Sequence, residues 1–158
     1  MARTPFPSEV PVDENTATVM QFRVALPLSN IDTNVIPANK VPLPKINEQA
    51  ASKKRFLFFI KDLDKFGRPY MKLDNKQWDA PITENPKLGS TEIWHLINVS
   101  PDSHPIHLHL IDFQIIDRRD IDSEKFNKEG IIQYTGKAIS PEPQEQGWED
   151  TVRANPTK

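Results

Sequence analysis

Short apolar runs separated by turn-forming residues dominate the chain, and they predict strands rather than long helices. Such runs lie at 55–60 (RFLFFI), 70–78 (YMKLDNKQW) and 91–100 (TEIWHLINVS), and the residues DKFGRP at 64–69 separate the first two. Branched and aromatic side chains favour strands, whereas glycine and proline mark connections. Both faces of 91–100 carry apolar side chains, which is typical of a strand inside a sandwich.

Further strands are predicted on either side of this central region. Residues 19–26 (VMQFRVAL) alternate partly and predict a first strand, 104–119 form the longest β-like run, and 148–154 predict a last strand. Residues 120–130 predict a short helix or loop that ends at the glycine at 130. We expect irregular connections at 27–50 and 140–147, where prolines interrupt the chain.

The composition agrees with an all-β domain. The chain of 158 residues holds 15 prolines and only 5 glycines, and this much proline argues against a helical bundle. The spacing of strands and turns predicts an antiparallel sandwich. The patterns suggest about five or six strands, fewer than the roughly seven of a typical sandwich, so we expect an incomplete sheet.

Charge and cysteine content narrow the classes of partner. The formal net charge is −2, so the charge of the chain gives no reason to expect binding to nucleic acid or to an anionic membrane. No apolar run approaches the length of a membrane span. The sequence contains no cysteine, which excludes a disulfide, a thiolate metal ligand and a cysteine nucleophile from these residues.

Three of the four histidines lie within the segment HPIHLH at 104–109. In a strand, side chains at i and i+2 share a face, so His107 and His109 should be neighbours, with Leu108 and Leu110 packing on the other side. Two imidazoles on one face form half of a site for zinc, copper, iron or nickel. Spacing alone does not name the metal, and a structural or surface role for these histidines stays open.

The remaining histidines have different settings. Pro105 restricts His104 to extended geometry, and the odd spacing from His107 places His104 on the other face or at the start of the strand. His104 is therefore predicted to serve a second centre. His95 lies in the middle of an apolar strand, where a packed core or edge histidine is the better interpretation.

The histidine motif and several flanking segments resemble a known family. Together they look like the C-terminal cupredoxin domain of multicopper oxidases of the bacterial spore-coat laccase and bilirubin oxidase type. The segments that carry the resemblance are VMQFRV (19–24), FGRP (66–69), TEIWHLIN (91–98), HPIHLHLIDFQIIDRR (104–119) and YTGKAISPEPQEQGWEDTV (134–152). The resemblance implies a cupredoxin-like Greek-key β-sandwich. It assigns residues 1–50 to a linker and first strand that follow a preceding domain, and 51–158 to part of a third cupredoxin domain.

The resemblance also implies a role for each motif histidine. By this likeness His104 binds the type 1 copper, which takes electrons from a phenol, an aromatic amine or a tetrapyrrole, and so belongs to the catalytic machinery. His107 then goes to the type 2 copper and His109 to one of the paired type 3 coppers, where oxygen is reduced to water.

The sequence departs from the family pattern at the type 1 site. A blue-copper site needs two histidines and a cysteine thiolate, and the family supplies the cysteine in a His-Cys-His stretch after GWEDT. Here the chain ends at Lys158 before such a stretch. We therefore expect a sandwich that is incomplete at its C-terminal end, a chain that is inactive alone and lacks partner cupredoxin domains, and self-association through an exposed sheet edge.

Two non-catalytic functions and one other fold compete with this interpretation. The chain could act as a weak copper-binding module at His107 and His109, or as a vestigial structural domain of a spore coat that binds no metal. A cupin also carries an H-x-H motif, but it needs a later glutamate and histidine, and no histidine follows His109. Resemblance favours a spore coat or an extracellular location, and the sequence itself leaves the compartment open.

Overall fold

The computed structural model describes residues 20–27, 30–31, 33–35 and 42–158. Within these ranges the regular structure consists of five β-strands, one α-helix and two single 3-10 turns. The strands are β1 (Ala51–Leu63), β2 (Pro69–Leu73), β3 (Thr91–Asn98), β4 (His104–His107) and β5 (Thr151–Ala154); the helix is α1 (Ser123–Glu129), and the turns are Glu48–Ala50 and Pro143–Glu145. The predicted all-β class is therefore confirmed. No helix in these ranges is long and apolar enough to cross a membrane.

Strands β1 and β2 form a hairpin on either side of the turn predicted at 64–69. They pair antiparallel from Phe59 opposite Leu73 to Leu63 opposite Pro69. The turn between them closes on Asp64, whose carbonyl oxygen accepts a hydrogen bond from the Gly67 amide at 2.9 Å. Gly67 has a φ of 76°, which a glycine adopts without a steric penalty. The turn residues identified in the sequence therefore set the register of this hairpin.

The pairing of β1 with β3 corrects the expectation of a purely antiparallel sandwich. The order of the three-stranded sheet is β2-β1-β3, and β3 runs parallel to β1, with Arg55 opposite Trp94 and Leu57 opposite Leu96. β2 returns the chain towards the end of the sheet where β1 begins, and residues 74–90 then lead from β2 at one edge to β3 on the other side of β1. The apolar pattern of β3 did not reveal its direction because alternation is the same for both directions.

A second sheet contains β4 and β5 and carries the histidine motif. These strands pair antiparallel, with His104 opposite Ala154 and His107 opposite Thr151. The two sheets meet at Asn98 of β3, whose side-chain amide donates to the Ala154 carbonyl oxygen of β5 at 2.9 Å. The backbone of Asn98 also hydrogen-bonds to residues 157 and 158, which follow β5. Among the described residues, the buried apolar side chains include those of Leu57, Ile97, Ile121 and Ala154.

The long strand predicted at 104–119 is wrong in its extent. Only His104–His107 form a strand, and the rest of the run makes isolated bridges, including Phe113 with Glu149. Leu110 has a φ of 68°, which takes the backbone out of the extended region. An apolar sequence does not report such a turn, because every residue in the run is compatible with a strand.

The first strand predicted at 19–26 is also wrong where it can be assessed. Residue 19 lies outside the described residues, and 20–26 have no strand assignment. Phe22 is 85% exposed and Val24 is 94% exposed, so these side chains have no packing partner in the described part of the chain. Partial alternation produces a strand only where a neighbouring backbone completes the hydrogen bonds.

The segment 120–130, predicted as a short helix or loop, forms helix α1, and the helix ends before Gly130 as expected. Asp122 caps its first turn, because its Oδ1 accepts a hydrogen bond from the Lys125 amide at 2.8 Å. Gly130 ends the helix with a φ of 69° and donates its amide to the Phe126 carbonyl oxygen. The Phe126 ring stacks on Phe58 of β1 with centroids 5.0 Å apart, which attaches the helix to the three-stranded sheet.

Candidate functional site

His104 and His107 occupy the two ends of β4 and point into different surroundings. The His104 ring stacks on Phe59 of β1 with centroids 6.0 Å apart, and it is partly buried. The His107 side chain is 46% exposed and lies beside Asp150. Because the two residues are three positions apart in a strand, their side chains take opposite faces. The structure therefore places His104 and His107 on different faces of β4, as their spacing in the sequence predicts.

The His104 ring has one polar partner on its Nε2 atom. Nε2 lies 2.7 Å from Oγ of Ser100. Burial lowers the pKa of His104 below its usual value, nearby Asp102 opposes this shift, and Lys61 adds to it. The ring is thus neutral at pH 7, which is the form of imidazole that binds a metal.

Ser100 is held by the buried side chain of Asn98. The Asn98 Nδ2 group donates to the carbonyl oxygens of Asp102 at 2.7 Å and Ala154 at 2.9 Å. Its Oδ1 accepts from the Ser100 amide at 3.0 Å and lies 2.8 Å from the Ser100 Oγ. Asn98 is completely buried, so these contacts replace the hydrogen bonds that water would otherwise provide.

His107 and His109 lie side by side at the end of β4. Their ring centroids are 4.9 Å apart, with an angle of 62° between the ring planes. The Nδ1 atom of His107 lies 2.9 Å from the Asp150 carbonyl oxygen and 3.1 Å from Oγ1 of Thr151. A carbonyl oxygen only accepts, so Nδ1 of His107 carries a proton, and Nε2 is the ring nitrogen left for a metal.

The way in which these two rings meet differs from the strand geometry that we expected. β4 ends at His107, and His109 lies in the turn that follows, so a turn and not the pleat brings the rings together. Leu108 is partly buried, but Leu110 is completely exposed. The prediction that Leu110 packs into the core is therefore wrong, because its left-handed backbone directs it to solvent.

His95 lies apart from the motif, on β3. Its ring stacks on Phe56 with centroids 4.5 Å apart and planes inclined by 7°. Burial is the main cause that lowers the pKa of His95, and Lys54 adds to the effect. Its Nε2 is buried without a hydrogen-bond partner among the described residues. These contacts agree with a packed histidine that takes no part in the site.

The histidines fit copper as partial ligand sets. The described residues include all four histidines, and they contain no group of three or more histidine, cysteine, aspartate or glutamate side chains able to hold a metal ion. Neutral imidazole nitrogens are suitable copper ligands, and His107 presents one. The chain therefore offers single ligands and one adjoining pair, to which further ligands must be added for a closed centre.

Sequence reasoning missed the residues that support the histidines. Asn98, Ser100 and Asp150 hold or orient the two rings on β4, but only their folded positions show this. One signal was present, since an asparagine and a serine follow directly on the apolar run of β3. Short polar side chains at the end of a buried strand need partners, and here these include backbone carbonyls and a histidine.

Comparison with known proteins connects this motif to a family. The sequence model described as "Multicopper oxidase" matches residues 42–158. The laccase of Bacillus subtilis is 42% identical over 142 residues, which is 90% of this chain and 28% of the relative. The laccase of Bacillus stratosphericus gives the same identity and coverage. Multicopper oxidase LPR2 of Arabidopsis thaliana is 28% identical over 165 residues, which covers 96% of this chain and 28% of the relative.

The chain spans 28% of the length of each of these relatives. The matched range of the family includes every strand found in the described part of the chain, together with the whole histidine motif.

Proposed function

Because the chain belongs to the multicopper oxidase family, we propose that it forms the copper-binding C-terminal part of a laccase-like oxidase. Residues 51–158 are assigned to part of a third cupredoxin domain, and 1–50 to the linker that leads into it. The intact enzyme oxidises phenolic or related aromatic substrates one electron at a time and reduces oxygen to water. Its location, by likeness to the Bacillus laccases, is a spore coat or the extracellular space.

The observation that supports this proposal best is the division of the motif between two surroundings. His104 faces Phe59 and Ser100, whereas His107 adjoins His109 and Asp150. β4 and the turn that follows it would thus supply ligands to two separate centres, with His104 at the type 1 copper and the other two histidines at the type 2 and type 3 coppers. Copper, when bound, supplies the one-electron chemistry of the reaction.

The chain's own groups hold and orient these ligands. The backbone carbonyl oxygen of Asp150 accepts a hydrogen bond from the Nδ1–H group of His107, which leaves Nε2 as the ligating atom. Burial keeps the His104 ring neutral, so no proton must be displaced before a metal binds. The thiolate that a blue-copper centre needs must come from outside these 158 residues, because they contain no cysteine.

A chimera tests the proposed function directly. The matched segment of the Bacillus subtilis laccase is replaced by this chain, and oxygen uptake with a phenolic donor is measured after loading with copper. We expect turnover, and we expect His104→Ala, His107→Ala and His109→Ala each to reduce it at least about a hundredfold, as loss of a metal ligand should.

The matched control is His95→Gln, which alters a histidine outside the motif. This variant should retain most of the activity of the chimera. Equal loss of activity in His95→Gln and in the three motif variants, with all four folded, would contradict the proposed assignment.

The alternative function is that of a weak copper-binding module without turnover. The adjoining, exposed rings of His107 and His109 favour it, since two imidazoles bind divalent copper loosely. Under this alternative the chimera fails to turn over, while Cu(II) still broadens the NMR signals of both rings in the chain. His107→Ala should then abolish the broadening at His109.

A further inference from the structure

We propose that Ser100, held by Asn98, is a positioning residue that keeps His104 in the tautomer with its proton on Nε2, so that Nδ1 is the free nitrogen. The inference rests on the proposed function where it makes Nδ1 the metal-binding atom. It deepens that function by naming the side chains that prepare the ligand. The assignment of the ring proton itself needs no metal.

The orientation of the Asn98 amide follows from its surroundings. One end of the amide lies 2.7 Å from the Asp102 carbonyl oxygen and 2.9 Å from the Ala154 carbonyl oxygen. Carbonyl oxygens only accept hydrogen bonds, so this end must be the NH₂ group. The other end is therefore the oxygen, and it points at the amide and hydroxyl of Ser100.

The hydroxyl proton of Ser100 is consequently directed away from His104. The Asn98 Oδ1 lies 2.8 Å from the Ser100 Oγ, and the Asp102 carbonyl oxygen lies 3.2 Å from it. Both of these oxygens are acceptors without a proton, so the hydroxyl is the donor in either contact. With its proton engaged there, Oγ presents a lone pair to the His104 ring.

The remaining contact decides the ring tautomer. Nε2 of His104 lies 2.7 Å from Oγ, and a lone pair on Oγ requires a proton on Nε2. A neutral ring carries only one such proton, so Nδ1 is unprotonated. Phe59 stacks on the ring and restrains its plane, and Ala154 pairs with His104 across the sheet while its carbonyl oxygen binds Asn98.

Nitrogen-15 NMR of the copper-free chain tests this inference at a pH where the rings are neutral. The His104 ring is identified from the signal that disappears in His104→Gln. We expect a ring proton attached to Nε2 and slow to exchange with water, and a non-protonated Nδ1. Finding the proton on Nδ1 of the wild-type chain would overturn the inference.

Variants of the two neighbouring serines separate positioning from general structure. In Ser100→Ala the Nε2 proton should exchange with water at least about tenfold faster, because the substitution removes its hydrogen-bond acceptor. The second tautomer, with the proton on Nδ1, should also appear. Ser100→Thr restores a hydroxyl and should rescue both signals. Ser103→Ala is the matched control, since Ser103 hydrogen-bonds to Asn155 and not to the ring. A protected Nε2 proton that persists unchanged in folded Ser100→Ala rules the inference out.

The copper experiments and the tautomer experiment fail independently. A chimera without turnover refutes the proposed function, while the proton assignment is still read from the copper-free chain. An Nδ1 proton in that chain refutes the inference, while turnover of the chimera still supports the proposed function.

Discussion

At the scale of single residues, buried polar side chains determine the fold as much as buried apolar side chains do. Asn98 has no exposed surface, yet each polar atom of its side chain has a partner. Leaving such a buried group unpaired costs about 1–3 kcal/mol, so the contacts specify how the loop after β3 must fold. That loop leads directly to His104.

Leu57 is expected to be a sensitive apolar position of the three-stranded sheet. It lies in the centre of β1 and is only 4% exposed, so Leu57→Ala leaves a cavity and should lower the free energy of unfolding by about 2–5 kcal/mol. Urea denaturation measures the difference. Leu63→Ala, at the 61% exposed end of the same strand, is the control and should change stability by no more than about 0.5 kcal/mol.

At the scale of elements, the ends of strands and helices are set by backbone conformation and by caps. β4 stops after four residues although the apolar sequence continues, and Leu110 then adopts a left-handed φ. α1 stops at a glycine that adopts the same region without strain. The first of these ends is invisible in the sequence, whereas the second is a familiar helix-stop signal.

Gly130 offers a direct test of the helix end. An added Cβ meets no atom within 4 Å, so the cost of Gly130→Ala comes from the backbone conformation alone. We expect a loss of about 1 kcal/mol in the free energy of unfolding. Gly130→Asn should lose clearly less, because asparagine tolerates the left-handed region. Equal losses for the two variants in urea denaturation would show that the φ of this residue is not the cause.

A bidentate ion pair joins two irregular segments, and it predicts a dependence of stability on pH. Arg118 donates from both terminal nitrogens to the Glu145 carboxylate, at 2.6 and 2.7 Å. These hydrogen bonds lower the pKa of Glu145, and burial opposes the shift. A carboxylate with a lowered pKa in the folded state stabilises the fold above its unfolded pKa of about 4.3, and this contribution disappears as pH falls through the folded pKa.

Glu145→Gln should therefore destabilise the chain most near neutral pH. Urea denaturation of both proteins between pH 7 and pH 3 measures the difference in free energy of unfolding. We expect this difference to be constant above about pH 5 and to shrink below about pH 4. Glu124→Gln is the control, because Glu124 is a highly exposed partner of Lys128 and its substitution should show little effect at any pH. A difference that grows towards acid pH contradicts the assigned sign.

At the scale of the whole molecule, β4 and the turn after it carry the three histidines that we propose as copper ligands, and other groups must complete each proposed centre. Two sheets joined at Asn98 provide the frame, and the described residues contain no closed cluster of metal ligands. Because a blue-copper site needs a thiolate, these residues cannot build it by themselves. Copper bound by only one or two imidazoles exchanges freely with the solvent. It cannot pass on the four electrons that the reduction of oxygen to water requires.

The chain alone with Cu(II) should consequently lack oxidase activity. We expect no intense thiolate-to-copper absorption and no oxygen uptake with a phenolic donor above a control of free copper. The measurement is made with an oxygen electrode and a visible spectrum on the same sample. Uptake above the control that is abolished by His104→Ala would refute this prediction.

The sequence by itself determined the elements whose signals are local. The hairpin turn around Gly67, the helix that ends at Gly130 and the apolar strands β1 and β3 follow from φ preferences and from side-chain patterns within a few residues. The histidine motif likewise carried the family resemblance, and the match over residues 42–158 confirms the family. The assignment of each histidine to a copper remains a prediction.

Only the tertiary structure decided how these elements meet. The parallel direction of β3, the short length of β4 and the contact of His104 with Ser100 depend on groups far apart in the sequence or on one unusual backbone angle. Alternation of apolar residues says which side chains are buried, but not which backbone or polar atom will lie opposite them. Hydrogen bonds between distant segments supply that information, and they exist only once the chain has folded.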